Sequence, residues 1–305
     1  MIKAREYLSA LRESYFVSKV KFENGDYGVK AILTSPWESS FLKLFFKKNV
    51  EELELNMGKG WKGDNLDFLQ FLPNLKSLII LDLRIKSIKA IYYLKELYTI
   101  NISTYCETPI DFSVFPNLIH CTIEWRKGSE SLFNVVKLES LSINNYKEKN
   151  SSVFSELVRL KELTLMNSGL ADLRGLSSLT NLTYLRIANL NRIKMLDGIG
   201  NLSRLQILMI QRCMGVNAIE EIFSLHHLKR LIITDMTKIK TIHGIEALSD
   251  LEMFMFFGST NIEDGDLRPI LKLKKLKAIS YRNRSHYTHN KEFFGDTYFQ
   301  GYKNL

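Results

Sequence analysis

The phrase L-x-x-L-x-L recurs along this chain at a nearly fixed interval. The positions that open its copies are Leu75, Leu97, Leu118, Leu138, Leu160, Leu182, Leu205, Leu228, Leu251 and Leu276. Successive openings lie 20 to 25 residues apart. Such an interval is typical of a chain in which each unit adds one strand to a stack. This spacing constrains the fold more than any other feature of the sequence.

The repeat predicts an α/β fold, a leucine-rich repeat solenoid shaped like a horseshoe. Val50, Leu53 and Leu55 form an additional copy, which brings the number of repeats to eleven. We therefore expect a parallel β-sheet of about eleven strands on the concave face. Behind several strands apolar residues recur at every third position, as in residues 239–248. Because side chains at i and i+3 align on a 3₁₀ helix, we expect short 3₁₀ turns on the convex face.

Repeats three to five lose this apolar row. Residues 105–109, 124–130 and 144–152 are polar and irregular instead. Irregular repeats within a regular array indicate either neutral sequence change or a functional surface. The sequence leaves both interpretations open.

Both ends of the chain depart from the repeat. An open solenoid needs capping segments, since its terminal repeats would otherwise expose apolar surface. Residues 3–12 and a segment beginning at the S-x-x-E box of residues 35–38 read as helices, with a hairpin between them. We predict an α+β N-terminal cap at 1–49, the solenoid at 50–281 and a C-terminal cap or tail at 282–305.

The formal net charge of +9 raises the question of nucleic-acid binding. Charges of both signs are mixed, however, with nine Lys and Arg against five Asp and Glu in residues 1–49. This distribution argues against nucleic acid. The residues that would carry that less favoured function are Arg126, Lys127, Arg186, Arg212 and Arg230.

The sequence indicates a cytoplasmic location. Its start has no apolar segment of the kind found in secretory signals, and no stretch approaches the about 20 apolar residues of a membrane span. Two of the three cysteines, Cys121 and Cys213, fall on predicted core positions, as expected of reduced thiols. We expect no membrane association.

Signals for catalysis are poor. The common nucleophile, phosphate-binding and zinc-hydrolase motifs do not occur. His286 and His289 have a ligand-like spacing, but no Cys or third His lies near them in the sequence. We expect a protein that is not an enzyme, with no metal site and no cofactor.

Alternation along each strand predicts which side chains face outward. If Leu185 points inward, then Tyr184 and Arg186 lie on the concave sheet. The same register gives a surface that is polar at one end and apolar at the other, with arginines between. Aromatic residues and Arg dominate protein–protein hot spots. The candidate partner-binding residues of this surface are Tyr184, Arg186, Met209, Arg212, Arg230, Met253, Met255 and Phe257. An alternative is that the C-terminal tail covers the last three.

A second candidate surface lies at the strand ends. Tyr105 and Tyr146 share a repeat position, and Trp125 lies one residue earlier in its own repeat. Because strands stack about 4.8 Å apart, these rings should align along one rim with Arg126 beside them. The alternative is that the rings pack over the irregular segments of the same repeats.

Residues 50–281 resemble the bacterial 22-residue repeat proteins of the internalin type. Local phrases such as Gly60-Trp61-Lys62-Gly63-Asp64 are similar to those of poorly characterised bacterial cytosolic repeat proteins. The resemblance implies a non-enzymatic binding role, and some such proteins are immunity partners of toxins. The chain departs from internalins because Ser168, Leu190 and Met236 stand where a regular asparagine ladder would lie.

The sequence therefore predicts a monomeric, non-catalytic scaffold that binds a protein partner through its concave sheet and strand-end rim. The alternative is an immunity or antitoxin protein that neutralises a cognate bacterial toxin.

Overall fold

A computed structural model describes residues 19–298. The predicted helix at 3–12 and the last seven residues of the tail, 299–305, lie outside the described residues. The chain forms two compact units, residues 1–137 and 138–305. The domain ends expected at residues 49 and 281 stay predictions.

The first unit begins with a hairpin that continues into parallel strands. Strands β1 and β2 are antiparallel, and β2 pairs in parallel with β3. From β3 to β6 each strand is parallel to the next. The strands are β1 (Val20–Asn24), β2 (Val29–Leu33), β3 (Val50–Asn56), β4 (Ser77–Leu81), β5 (Thr99–Ser103) and β6 (His120–Glu124).

The α-helix of this unit, α1, spans Phe41–Lys48 and starts later than expected. Its N-cap, Ser40, makes no side-chain hydrogen bond, so the predicted start at residues 35–38 is wrong. The Trp37 ring stacks on Phe68 with 4.1 Å between centroids. Glu38 accepts a hydrogen bond from Lys19 instead of capping a helix. These contacts hold the segment against its neighbours in a non-helical path.

The second unit consists of parallel strands in chain order. Each strand from β7 to β13 pairs with the next. The strands are β7 (Ser140–Asn144), β8 (Glu162–Met166), β9 (Tyr184–Ala188), β10 (Ile207–Gln211), β11 (Arg230–Thr234), β12 (Met253–Phe257) and β13 (Ala278–Tyr281). All eleven predicted repeat strands, β3 to β13, are present, and the predicted fold class is confirmed.

Short 3₁₀ helices follow most strands, as the three-residue spacing predicted. In the first unit they are Met57–Lys59, Asp67–Phe71, Lys89–Tyr93, Phe112–Val114 and Ser129–Asn134. In the second unit they are Ser152–Glu156, Arg174–Leu176, Glu220–Ser224, Ile245–Ala247, Arg268–Lys272 and Lys291–Thr297. The apolar core of each unit lies between the strands and these turns.

The irregular repeats keep this core with larger side chains. Phe112 and Phe115 are buried in the third repeat, Phe133 in the fourth and Phe154 in the fifth. An aromatic ring buries more area than a branched aliphatic side chain. One or two rings therefore replace the regular apolar row, and the 3₁₀ segment persists.

The inward register of the strands is as expected. Leu182, Leu185 and Ile187 are fully buried, whereas Tyr184 and Arg186 between them are only half-buried. The two predicted core thiols, Cys121 and Cys213, are also buried. The outward side chains of the strands are called the sheet face below.

The register predicts unequal costs for two neighbouring truncations. Leu185→Ala should lower the free energy of unfolding by about 2–5 kcal/mol, because it leaves a cavity in a close-packed core. Thr183→Ala removes only a hydrogen bond from the Thr183 hydroxyl to the Lys161 carbonyl oxygen, at 3.0 Å, and should cost about 0.5–1.5 kcal/mol. Urea unfolding measures both. Equal midpoints would contradict the register.

Candidate functional site

The charged side chains of β3 on the sheet face of the first unit are bonded to other groups of the same unit. Glu54, only 3% exposed, lies 2.8 Å from the Lys59 ammonium and 3.0 Å from that of Lys30. The Glu52 carboxylate accepts a hydrogen bond from the backbone N–H of Tyr27, at 2.5 Å. Both of these carboxylates are therefore engaged within the molecule.

The surroundings of Glu54 decide its ionisation. Burial disfavours the charged carboxylate, but hydrogen bonds from Lys59, Asn56 and Lys30 outweigh burial. Together they hold the pKa of Glu54 below its ordinary value. The carboxylate is thus charged at neutral pH and acts as a structural anchor.

This lowered pKa predicts an acid-sensitive contribution to stability. Glu54→Gln should lower the free energy of unfolding at neutral pH by about 1.5–3 kcal/mol, the range for hydrogen bonds to charged groups. The wild-type advantage is fully present above the unfolded-state pKa of about 4.3 and is lost as pH falls through the lower folded-state value. Urea unfolding at several pH values measures it.

The matched control is Glu107→Gln, which changes an exposed glutamate of the same unit. We expect it to leave both the stability and its pH dependence nearly unchanged. A wild-type advantage over Glu54→Gln that stayed constant down to acid pH would contradict the assignment.

Only part of the predicted rim is accessible. Tyr105 is 76% exposed and Trp125 is half-buried, with its ring 5.8 Å from that of Phe133. Arg126 is only 8% exposed, because its guanidinium turns into the first unit. The expectation that Arg126 lies open beside the rings is wrong.

Tyr146, in the second unit, is also withdrawn from the surface. It is 1% exposed, and its ring packs against Phe154 at 5.6 Å. It thereby fills the space left by the irregular row of its repeat. Neither Tyr146 nor Arg126 is available to a partner.

The sheet face of the second unit brings three predicted residues together. Tyr184 and Arg186 lie on β9 and Met209 on β10, and all three are half-buried. The Tyr184 hydroxyl lies 3.4 Å from the Met209 sulfur. Burial raises the pKa of Tyr184, although the Arg186 charge acts in the opposite direction, so the phenol keeps its proton.

Arg186 is held in place by Gln211, which is not among the predicted contact residues. The Arg186 Nε and Nη2 groups donate to the Gln211 side-chain oxygen at 3.0 and 2.7 Å. Within the described part of the chain, no carboxylate forms an ion pair with Arg186. A guanidinium has five N–H donors, so three are not used by Gln211. Strand register could have found Gln211, since it faces outward two positions beyond Met209.

The apolar end of this sheet face is less open than expected. Met253 and Phe257 are half-buried, but Met255 is only 1% exposed. The expectation that Met255 is exposed on the sheet face is therefore wrong. The described tail packs on inward-facing Tyr281, to whose carbonyl oxygen the Tyr298 hydroxyl donates. Cover of Met253 and Phe257 by residues 299–305 lies outside the described residues and stays a prediction.

A ladder of polar side chains runs along the strand ends of the second unit. The residue after each of six strands has a left-handed backbone: Asn145, Asn167, Asn189, Arg212, Asp235 and Gly258. The Asn189 amide donates to Asn167 at 2.8 Å, and Asn167 donates to Asn144 at 2.6 Å. Residues Ser168 and Leu190, one position later, are buried. Asparagine side chains therefore form a ladder in which Asn167 and Asn189 lie one residue before the predicted position.

Arg212 is the exception in this ladder. It has φ 51°, a region that costs residues other than Gly and Asn about 1–2 kcal/mol. Its guanidinium is exposed, 3.7 Å from the Asp235 carboxylate. Strain retained at an exposed arginine marks Arg212 as a contact candidate. Arg230, also exposed, starts the next strand.

Replacing Arg212 should reveal this strain. Arg212→Asn should raise the free energy of unfolding by up to about 1 kcal/mol, because Asn tolerates the left-handed region. The lost surface ion pair should cost no more than about 1 kcal/mol and limits the gain. Asn189→Arg is the reciprocal variant and should be destabilised. Both are measured by urea unfolding, and stability losses in both would contradict the strain argument.

The two histidines with ligand-like spacing form hydrogen bonds within residues 19–298. No cluster of three or more His, Cys, Asp or Glu residues in that range is arranged to hold a metal ion. His286 Nε2 lies 3.0 Å from the Ile262 carbonyl oxygen, and His289 Nδ1 lies 2.9 Å from the Thr288 hydroxyl. Within the same range no helix combines the length and apolarity of a membrane span.

No family model and no curated protein sequence matches the chain. Solved structures do match. An internalin, InlF, from Listeria monocytogenes is 20% identical and superposes with a TM-score of 0.56, over 84% of this chain and 87% of that one. The chain has the leucine-rich repeat fold. The internalin-type architecture that the repeats predicted is thereby confirmed at the level of fold.

Two further leucine-rich repeat structures give lower scores. Internalin C2 from Listeria monocytogenes is 21% identical, with 70% of this chain and 84% of that chain covered and a TM-score of 0.47. The LRR protein LIC12759 from Leptospira interrogans is 17% identical, with 78% and 74% covered and a TM-score of 0.48.

Proposed function

We propose that this leucine-rich repeat chain is a non-catalytic scaffold that binds a protein through the sheet face of β9 to β11. The central patch of that face is Tyr184, Arg186, Ile207, Met209 and Arg230. The observation that carries the proposal is Arg186, a half-buried cation that Gln211 orients and no described carboxylate neutralises.

The central patch has the composition of a binding hot spot. Tyr184 and Arg186 belong to the residue types that contribute most to protein–protein affinity, and Met209 and Ile207 supply adaptable apolar area beside them. Fixing a long side chain on binding costs about 0.5–1.5 kcal/mol. Because Gln211 already fixes Arg186, part of that cost falls away before a partner arrives.

Charge indicates the chemistry of the partner. Arg186 retains three N–H donors, and Arg230 lies exposed two strands away. A carboxylate pairs with a guanidinium through two parallel hydrogen bonds. We therefore propose a partner segment that presents an Asp or Glu beside an apolar side chain.

The nucleic-acid alternative is weaker in the structure than in the sequence. Of its five candidate residues, Arg126 is buried and Arg212 lies beside Asp235. Phosphate contact needs exposed cations that share a face. The immunity-protein hypothesis, the cytoplasmic location and the monomeric state remain predictions.

The central patch can be tested by reversing its charge. We expect Arg186→Glu combined with Met209→Asp to reduce capture of specific partner proteins from a native lysate at least tenfold, since a carboxylate would then face a carboxylate. Capture is quantified by isotope-labelled mass spectrometry. Melting temperatures establish that the variant is folded, and Arg186→Glu alone replaces it if the double variant is unstable.

The matched control makes the same kinds of substitution, Arg to Glu and Met to Asp, in the segments that connect the strands. Arg174, in the 3₁₀ segment Arg174–Leu176, has a side chain that is 74% exposed, and Met195 is 58% exposed. Arg174→Glu with Met195→Asp should capture the same proteins as the wild type. Equal capture by the sheet-face variant and this control would refute the proposed surface.

A further inference from the structure

Cys106 lies in a cluster of hydrogen-bond donors next to β5. Its sulfur is 3.1 Å from the Thr104 hydroxyl oxygen and 3.4 Å from Arg126 Nη1. Arg126 comes from the segment after β6, so neighbouring repeats build the cluster together. Cys106 itself is partly exposed, whereas the other two cysteines are buried.

Arg126 is a buried cation without a carboxylate. The guanidinium donates to the Thr104 hydroxyl and to the backbone carbonyl oxygens of Thr104, Cys106 and Glu124. All of these acceptors are neutral. Within residues 19–298 no Asp or Glu side chain contacts the Arg126 guanidinium. Because a buried charge is costly unless it is paired, an anion beside this guanidinium would be favoured.

The Cys106 sulfur is the group in the cluster that can supply that anion. A guanidinium only donates, so the sulfur accepts from Arg126. The Thr104 oxygen accepts from both Nη1 and Nη2, each at 3.3 Å. The single Thr104 hydroxyl proton is then directed to the sulfur. Two donors facing one sulfur favour the thiolate over the thiol.

The pKa shifts agree with this geometry. Burial opposes ionisation of Cys106, but the Thr104 hydrogen bond, the Arg126 charge and contacts with Thr108 outweigh it and hold the pKa below that of an ordinary thiol. For Cys213, burial raises the pKa to about 11. Burial raises the pKa of Cys121 as well.

We propose that Cys106 is a reactive thiolate, stabilised by Arg126, and a site of oxidation by hydrogen peroxide. The sulfur attacks one peroxide oxygen, the O–O bond breaks, and an S–O bond forms. Sulfur loses two electrons, and the products are Cys106 sulfenic acid and hydroxide. The product is neutral, so oxidation leaves Arg126 without its counter-charge. The change occurs next to Tyr105, at the accessible part of the rim.

Thiolate character is tested by alkylation of the folded protein. The rate of carbamidomethylation by iodoacetamide is measured for each cysteine peptide across a pH series. We expect Cys106 to react with an apparent pKa below the about 8.5 of a free thiol. Cys121 and Cys213, protected by burial, serve as internal controls and should react only in denatured protein. A Cys106 value at or above that of a free thiol would overturn the proposal.

Variants of the cluster separate charge from exposure. Arg126→Gln should raise the apparent pKa of Cys106 by at least one unit, and Arg126→Lys should retain part of the shift. Thr104→Val removes the hydroxyl donor and should raise the apparent pKa by less. If Arg126→Gln does not fold, the wild-type and Thr104→Val profiles decide the question. A folded Arg126→Gln protein with the wild-type profile would exclude the role of Arg126.

Oxidation has its own readout. After treatment with hydrogen peroxide, dimedone should label the Cys106 peptide of the wild type, and Cys106→Ser should abolish that label. The label should fall at least fivefold in Arg126→Gln. Absence of a dimedone adduct in the wild type would refute the oxidation step even where alkylation showed a thiolate.

Discussion

Burial of the inward row of each repeat is the interaction on which the structure depends. One repeat has too little apolar surface to form a core alone, so its inward side chains must stack on those of the next. Leu185 pairs with Leu208 across β9 and β10, and both are fully buried. Core packing therefore fixes the residue types at the inward positions, whereas it does not fix those on the sheet face. Function in such a fold is therefore carried by the side chains that the core does not need.

Some charged side chains are also buried, and most of those described here are paired with an opposite charge. Glu54 lies between two lysines, and fully buried Asp82 is paired with the Arg84 guanidinium at 2.7 Å. Both of these carboxylates are paired with cations of their own unit. Arg126 differs, because its neighbourhood offers neutral oxygens and one thiol. That difference is the physical basis for assigning Cys106 a chemical role in addition to packing.

Periodicity in the sequence was sufficient for strands, turns and inward register, since these follow from spacing within each repeat. Exposure was not predictable in the same way. Tyr146, two residues beyond β7, and Met255, on β12, are both buried, because burial also depends on residues from other segments. Likewise, Asn167 is hydrogen-bonded in a ladder one residue earlier than a consensus alignment suggests. A left-handed backbone conformation at a strand end is difficult to predict from a single sequence.

The charged side chains of the sheet face differ between the two units: one is neutralised by its neighbours and the other is not. In the first unit Glu54 is satisfied internally by Lys30 and Lys59, so an added ligand would have to displace existing contacts. In the second unit Arg186 is oriented by an amide that cannot neutralise it. Orientation without neutralisation lowers the ordering cost of binding while leaving the electrostatic gain available. A half-buried guanidinium in that state is better matched to an incoming carboxylate than to solvent.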